Sequence, residues 1–156
     1  MAHHLTDSLV RNLTLPDHGN RIVYDDTKGL PGFGIRVTAA GNRSFILNYR
    51  VKGSGRERRY TIGGFPSWEV AAARKEAKRL RVVIDSGGDP QGDIDADRAA
   101  PTMGDLIERF TEEHLPRKRP GTARFYQLIL RNHIEPHFGR HTKVADVKFA
   151  DCDALH

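Results

Sequence analysis

The sequence predicts an α+β protein: an N-terminal antiparallel β-sheet of three to four strands packed on one long helix, followed by a small all-α domain. Three observations carry that reading. Between Gly34 and Gly63, β-branched and aromatic residues alternate with polar ones and are cut by Gly, Asn and Ser turns, the pattern of strands joined by hairpins. From Glu69 to Ser86, Val70, Ala73, Ala77, Leu80 and Ile84 recur at spacings of three and four, which makes one apolar stripe on a helix. Past an acidic stretch nearly free of large apolar residues, a capping signal and new helical spacing begin at Thr102.

Taken in order, Leu5-Thr6-Asp7 offers a helix start, with Val10 and Leu13 as its apolar positions and Pro16 as its stop. Arg21 to Tyr24 is a short strand candidate, and Asp25-Asp26-Thr27 turns the chain. Gly29, Gly32 and Gly34 match neither phosphate-loop nor dinucleotide spacing, so they are read as positions of tight approach or positive φ at the sheet entrance. The strands proper are Gly34–Thr38, Ser44–Arg50 and Arg58–Gly63. A period of two places Ile35, Val37, Phe45, Leu47, Tyr49, Tyr60 and Ile62 on a buried face. The opposite face then carries Arg36, Thr38, Ser44, Ile46, Asn48, Arg50, Arg59 and Thr61.

The long helix should seal the apolar face and end at Gly87-Gly88-Asp89-Pro90. Its Arg74, Lys75, Lys78, Arg79 and Arg81 are read as solvated charges. Residues 91–101 read as a semi-flexible acidic linker between domain 1–90 and domain 102–156. In the second domain Met103, Leu106, Ile107 and Phe110 form a first stripe, and Pro116-Arg117-Lys118-Arg119-Pro120 breaks it. Thr122 is placed as the cap of a second helix running to about Pro136, with Phe125, Leu128, Ile129 and Asn132 inward. Val144, Val147 and Phe149 supply a shorter third element, and a further helix starts at Asp151 without room to finish. The core of this domain is expected to be thin and cut short.

Charge is distributed in blocks: +8 over residues 31–87, −6 over 88–113 and +6 over 114–144. Between Arg36 and Arg59 only Glu57 opposes seven Arg and Lys residues. A face of guanidinium, amide and hydroxyl groups of one sign suits phosphates and base edges. The single cysteine, Cys152, excludes an internal disulfide framework and is read as a buried spectator. No apolar run approaches membrane-spanning length, so no membrane partner is expected. No metal or cofactor is expected either: the eight His are scattered, with His3-His4 near a disordered terminus, and Glu112-Glu113-His114 adjoins a Pro-Arg break rather than lying within a metal-binding helix.

In combination, several short motifs resemble the N-terminal half of phage and genomic-island integrases of the tyrosine recombinase family, P4-like type. They are Leu5-Thr6-Asp7, the Asp25 region, Gly29-Leu30 leading into Ile35-Arg36-Val37, Gly41, Ser44-Phe45, Tyr49-Arg50, Gly55, Arg58-Arg59, Thr61-Ile62-Gly63, Phe65-Pro66, Ala73-Arg74, Ala77 and Gly88-Asp89-Pro90. Ile134-Glu135-Pro136 and Phe138-Gly139 extend the likeness more loosely. One departure is Glu69, where Ser or Thr would cap the helix; Ser67 is the substitute cap.

The resemblance implies an arm-type DNA-binding domain followed by a SAM-like core-binding domain, in a cytoplasmic, nucleoid-associated protein. It implies no chemistry in this chain, because the Arg, His, Arg and Tyr of the catalytic domain would lie beyond residue 156. Double-stranded attachment-site DNA is the implied partner, with other recombinase protomers and accessory DNA-bending or excisionase proteins alongside. On the sheet face Arg36, Asn48, Arg50, Arg59 and Thr61 are the candidate base readers. Arg43, Lys52, Arg56 and Arg58 are candidate phosphate contacts. In the helical domain the candidates are Arg117, Lys118, Arg119, Thr122, Arg124 and Arg131. The competing classes are a protein-interaction module for recombinase assembly and an RNA-binding sheet. The second is disfavoured because such sheets expose stacking aromatics, whereas the aromatics here alternate inward.

Overall fold

The computed structural model describes residues 3–155 and divides into two compact units, 1–95 and 96–156. The first unit is built on four antiparallel strands, β1 (Asn20–Tyr24), β2 (Phe33–Thr38), β3 (Arg43–Arg50) and β4 (Glu57–Gly64), in spatial order β1-β2-β3-β4. Helix α1 (Asp7–Arg11) precedes them, with the Thr6 hydroxyl accepting from Leu9 N at its start. Helix α2 (Val70–Asp85) follows and buries Val70, Ala73, Ala77, Leu80 and Ile84, the predicted stripe. These pack with Val23, Phe33, Ile35, Val37, Phe45, Leu47 and Tyr49 into one core. Each large apolar side chain buried there contributes about 1.5–3 kcal/mol. Gly32 is needed at the entrance: its φ is +86°, and a Cβ would lie 2.0 Å from the Asn48 carbonyl oxygen.

Two polar latches that the sequence does not advertise tie this unit together. At the first, Arg74 donates from Nε to Asp25 Oδ2 at 2.9 Å and from Nη2 to Asp25 Oδ1 at 3.0 Å. The same carboxylate accepts from Leu5 N at 2.9 Å and from the Thr27 hydroxyl at 2.6 Å. Burial alone would push the Asp25 carboxyl up; the hydrogen bonds from Arg74, Thr27 and Leu5 outweigh it and hold its pKa down at about 2. Arg74 is therefore not a solvated charge, and the sequence reading is corrected: a carboxylate buried on β1's exit turn requires a cation, and α2 supplies it. His3, placed near a disordered terminus on sequence grounds, is in fact backbone-paired: its N donates to Tyr24 O and its O accepts from Asp26 N.

The same logic caps α2. Glu69 makes no side-chain cap, nor does Ser67; instead Asp7 Oδ1 accepts from Val70 N at 2.9 Å. A free helix N-terminal amide needs an acceptor from somewhere, and here it comes from the other helix.

The second latch explains the most visible departure from expectation. Residues 91–101, read as a linker, belong largely to helix α3 (Pro90–Ala99). Pro90 starts it, and Asp89 accepts from Gly92 N at 3.1 Å; Asp93 and Arg98 stand at the ends that the helix dipole favours. Asp89 in turn accepts from the Tyr49 hydroxyl at 2.5 Å, and that oxygen accepts from Gln91 N at 2.9 Å. Burial, then the Asp89 hydrogen bond, raises the Tyr49 phenol to about 12.

In the second unit, α4 (Met103–Arg109) opens with the predicted Thr102–Asp105 capping box. The chain then widens into π-type turns over Phe110–His114 and tightens over Leu115–Arg117. Helix α5 (Pro120–Ile129) runs through Leu130–Ile134 into α6 (Glu135–Phe138) and stops at Gly139, φ +79°. Thr122 is not its cap: Pro120 begins the helix after Arg119. The inward face is also shifted. Phe125 and Leu128 are 60% and 57% exposed, while Tyr126 meets Phe110 edge-on at 6.1 Å. One residue of helix rotates a side chain by about 100°, so a stripe placed one residue off points outward. A last short helix, α7 (Phe149–Asp153), leaves Phe149 and Cys152 exposed, against the buried position expected of Cys152.

Candidate nucleic-acid interface

The face of the sheet opposite α2 is set by register. Asn48 pairs with Arg59, Arg50 with Glu57 and Ile46 with Thr61 across β3 and β4; Arg36 pairs with Ser44 across β2 and β3. These side chains share one side of the pleat, and five of the predicted residues, Arg36, Asn48, Arg50, Arg59 and Thr61, are brought together on it. The hairpin between β3 and β4 adds Lys52 and Arg56, both exposed. A groove of about 420 Å³ is lined by Tyr24, Asn48, Arg50, Glu57 and Arg59 among others.

Hydrogen bonds organise this surface. Arg59 Nε donates to Asn48 Oδ1 at 2.9 Å, and Asn48 Nδ2 donates to the Tyr24 hydroxyl at 2.8 Å. Arg50 donates to Glu57 Oε1 from Nε at 3.1 Å and from Nη2 at 2.7 Å. The Nε of Arg36 is buried and meets no acceptor among the described residues, so part of its hydrogen-bonding capacity is unused. Tyr24 is the residue that sequence reasoning missed. It is 39% exposed and on the outer face, so the aromatics do not all alternate inward as expected. The available signal was parity: Val23 is buried, so its neighbour in the strand must point the other way.

Two predicted phosphate contacts have other employment. Arg43 donates to the carbonyls of Val10, Gly41, Arg11 and Leu13, anchoring the end of α1 to the sheet. Arg58 is turned to the α2 side by the strand period, with Nε 2.9 Å from Asp89 Oδ2 and Nη1 2.5 Å from Asp95 Oδ2; its side chain is 16% exposed. These partners give both side chains a structural role that competes with a phosphate: Arg43 spends four hydrogen bonds on carbonyls, and Arg58 is held between Asp89 and Asp95.

In the second unit Arg117, Lys118, Arg119, Thr122, Arg124 and Arg131 are all exposed. Arg117, Lys118 and Arg119 cluster just before the N-terminus of α5, where free amides and the helix dipole attract anions.

A basic face on a four-stranded sheet sealed by one helix has a counterpart among known families. Residues 5–97 match the arm DNA-binding domain family. The chain belongs to that family. Residues 102–155 match the phage integrase N-terminal SAM-like domain. The chain is 32% identical over 82 residues to prophage integrase IntF of Escherichia coli (strain K12), a stretch covering 53% of this chain and 17% of that protein. The chain thus joins an arm DNA-binding domain to a phage-integrase N-terminal SAM-like domain, and it spans well under two thirds of that relative's length. Among the described residues no helix is long and apolar enough to cross a membrane.

Proposed function

We propose that this chain recognises attachment-site DNA for a site-specific integrase, the outer sheet face reading arm-type sequence in the major groove and the helical unit gripping core-type DNA through its backbone. The observation that carries the reading is the convergence of Arg36, Asn48, Arg50, Arg59 and Thr61 on a single side of the sheet. A β-ribbon fits the major groove, where Arg addresses guanine. Domains 1–90 and 102–156 then act as separate grips on one substrate, so that the tethered pair binds arm-plus-core DNA more tightly than either does alone. Recombination itself, with the assembly of further protomers and accessory bending or excision proteins, is assigned to the longer protein of which such chains are part.

The test is duplex selection from a randomised pool, followed by affinity measurement on the enriched sequence. Arg50→Ala should weaken that binding by about 1–3 kcal/mol while leaving thermal unfolding nearly unchanged. Full affinity in both Arg50→Ala and Arg36→Ala would show that another surface reads the DNA. A second reading, protein association through the helical unit, is favoured by one observation: Leu106, Phe125, Leu128 and Phe149 are exposed there. It predicts concentration-dependent sedimentation without DNA.

A further inference from the structure

Asn48 occupies the centre of the outer face, and by residue type it is a reader of adenine, since an amide offers one donor and one acceptor to the adenine edge. Its hydrogen bonds indicate a different task. Arg59 can only donate, so the amide atom 2.9 Å from its Nε must be the oxygen. That fixes the orientation of the amide, and it places Nδ2 against the Tyr24 hydroxyl at 2.8 Å. The Tyr24 oxygen therefore accepts, and its own O–H remains to be donated outward.

The backbone is arranged to permit this. Tyr24 is on β1 and Asn48 on β3, with β2 between them, a gap of two strand spacings or about 10 Å. The residue of β2 paired with Tyr24 is Gly34. A Cβ there would stand 2.6 Å from the Val23 carbonyl oxygen and 3.2 Å from Cδ1 of Tyr24. The absence of a side chain at Gly34 lets the tyrosine ring lie across β2 and reach β3. Ile46, opposite Gly34 in the register, is fully buried although it points to this face, so the surface around the triad is closed rather than loose.

We propose that Asn48 is a positioning residue, clamped by Tyr24, that aims the guanidinium of Arg59 at a guanine, and that it does not itself read adenine. With Nε spent on Asn48, the terminal nitrogens of Arg59 have no other hydrogen-bond partner among the described residues. What the triad shows to a groove is then almost wholly donors: the Arg59 N–H fork and the Tyr24 O–H. Guanine presents two acceptors, N7 and O6, on its major-groove edge, and adenine presents one acceptor beside a donor. Reading adenine through Asn48 would be left to the second lone pair of Oδ1 and the second N–H of Nδ2, in an orientation already set by Arg59 and Tyr24.

This inference rests on the sheet-face reading above, and the experiment separates the two. The full chain and its variants are each used to select from a randomised duplex pool, and the bound fraction is sequenced. Arg59→Ala should erase one guanine position, lowering its preference roughly ten- to hundredfold. Tyr24→Phe, which keeps the ring over Gly34, should weaken the same guanine position several-fold and no other. Asn48→Ala should do likewise, and Asn48→Asp should restore the preference, because a carboxylate can still hold Arg59 Nε and accept from Tyr24. The clamp is overturned if Asn48→Ala removes an adenine position while the Arg59-dependent guanine stays intact, or if Tyr24→Phe leaves that guanine untouched. A pool unchanged by Arg59→Ala itself overturns the sheet-face reading and this inference with it.

Discussion

The two sides of the sheet use the same residue for opposite ends. On the α2 side Arg74 and Arg58 are turned inward, each against buried or half-buried carboxylates, and Arg43 closes the end of α1 by donating to four carbonyls. On the outer side Arg50 and Arg59 are exposed, with one side-chain partner each. An arginine becomes structural when an unmet acceptor is buried beside it, and remains available when its only neighbours are exposed. Composition cannot separate the two sets; the surroundings do.

The sharpest way to break that division is Arg74→Ala. It leaves the Asp25 carboxylate buried without its cation, a situation that costs about 3–5 kcal/mol. For a unit of this size that lowers Tm by more than about 10 °C. DNA affinity measured well below the new Tm should be unchanged. A variant that melts normally yet binds poorly would place Arg74 on the wrong side of the division.

Acid offers the same test without mutation. Asp25 has its pKa depressed from 3.8 to about 2, so the folded state prefers the ionised form. Its stabilisation is complete above pH 4 and is lost as pH falls toward 2, on the order of 2 kcal/mol in total. Denaturant unfolding across that window should show the loss in the wild type and a much smaller loss in Asp25→Asn. Equal slopes in both proteins would remove Asp25 from the account.

Much of the sheet and of α2 was legible because period-two alternation and a three-four stripe each report burial directly. The candidate site was legible to the same extent, since Arg36, Asn48, Arg50, Arg59 and Thr61 follow from strand parity alone. What was not legible depends on pairs distant in sequence: Asp7 capping α2, Arg74 meeting Asp25 across 49 positions, Arg58 meeting Asp89 and Asp95. No local pattern encodes such pairs. Helix α3 was hidden for another reason: an acidic, apolar-poor segment resembles a linker until Tyr49 and Asp89 fix its first turn. The shifted face of α5 shows how little a stripe constrains a helix in a thin core.

Lys52 marks the periphery of the outer face. It is exposed in the β3–β4 hairpin, and no ion pair or hydrogen bond holds it among the described residues. Lys52→Ala should weaken binding to all duplexes alike and reduce the slope of log affinity against log salt by about 0.9. A loss confined to the enriched sequence would move Lys52 into the groove beside Arg50.

Glu57 is the one acidic residue within strands β1–β4, and its effect is the smallest and the most discriminating. In the free protein it occupies Arg50 through Nε and Nη2, and an exposed pair of this kind contributes about 0–1 kcal/mol. Glu57→Gln should therefore scarcely alter Tm. It releases the guanidinium and removes a negative charge from the outer face, so affinity for DNA should rise by a few-fold at most. The distribution of that gain is informative. If Arg50 reads a base, the enriched duplex gains more than an unrelated one, because the donors set free match acceptors present only there. If Arg50 meets a phosphate, both duplexes gain equally and the salt slope steepens, the reverse of the Lys52 variant. We expect the first outcome, because Arg50 shares its side of the pleat with Asn48, two residues away on β3, whereas Lys52 lies past the end of the strand.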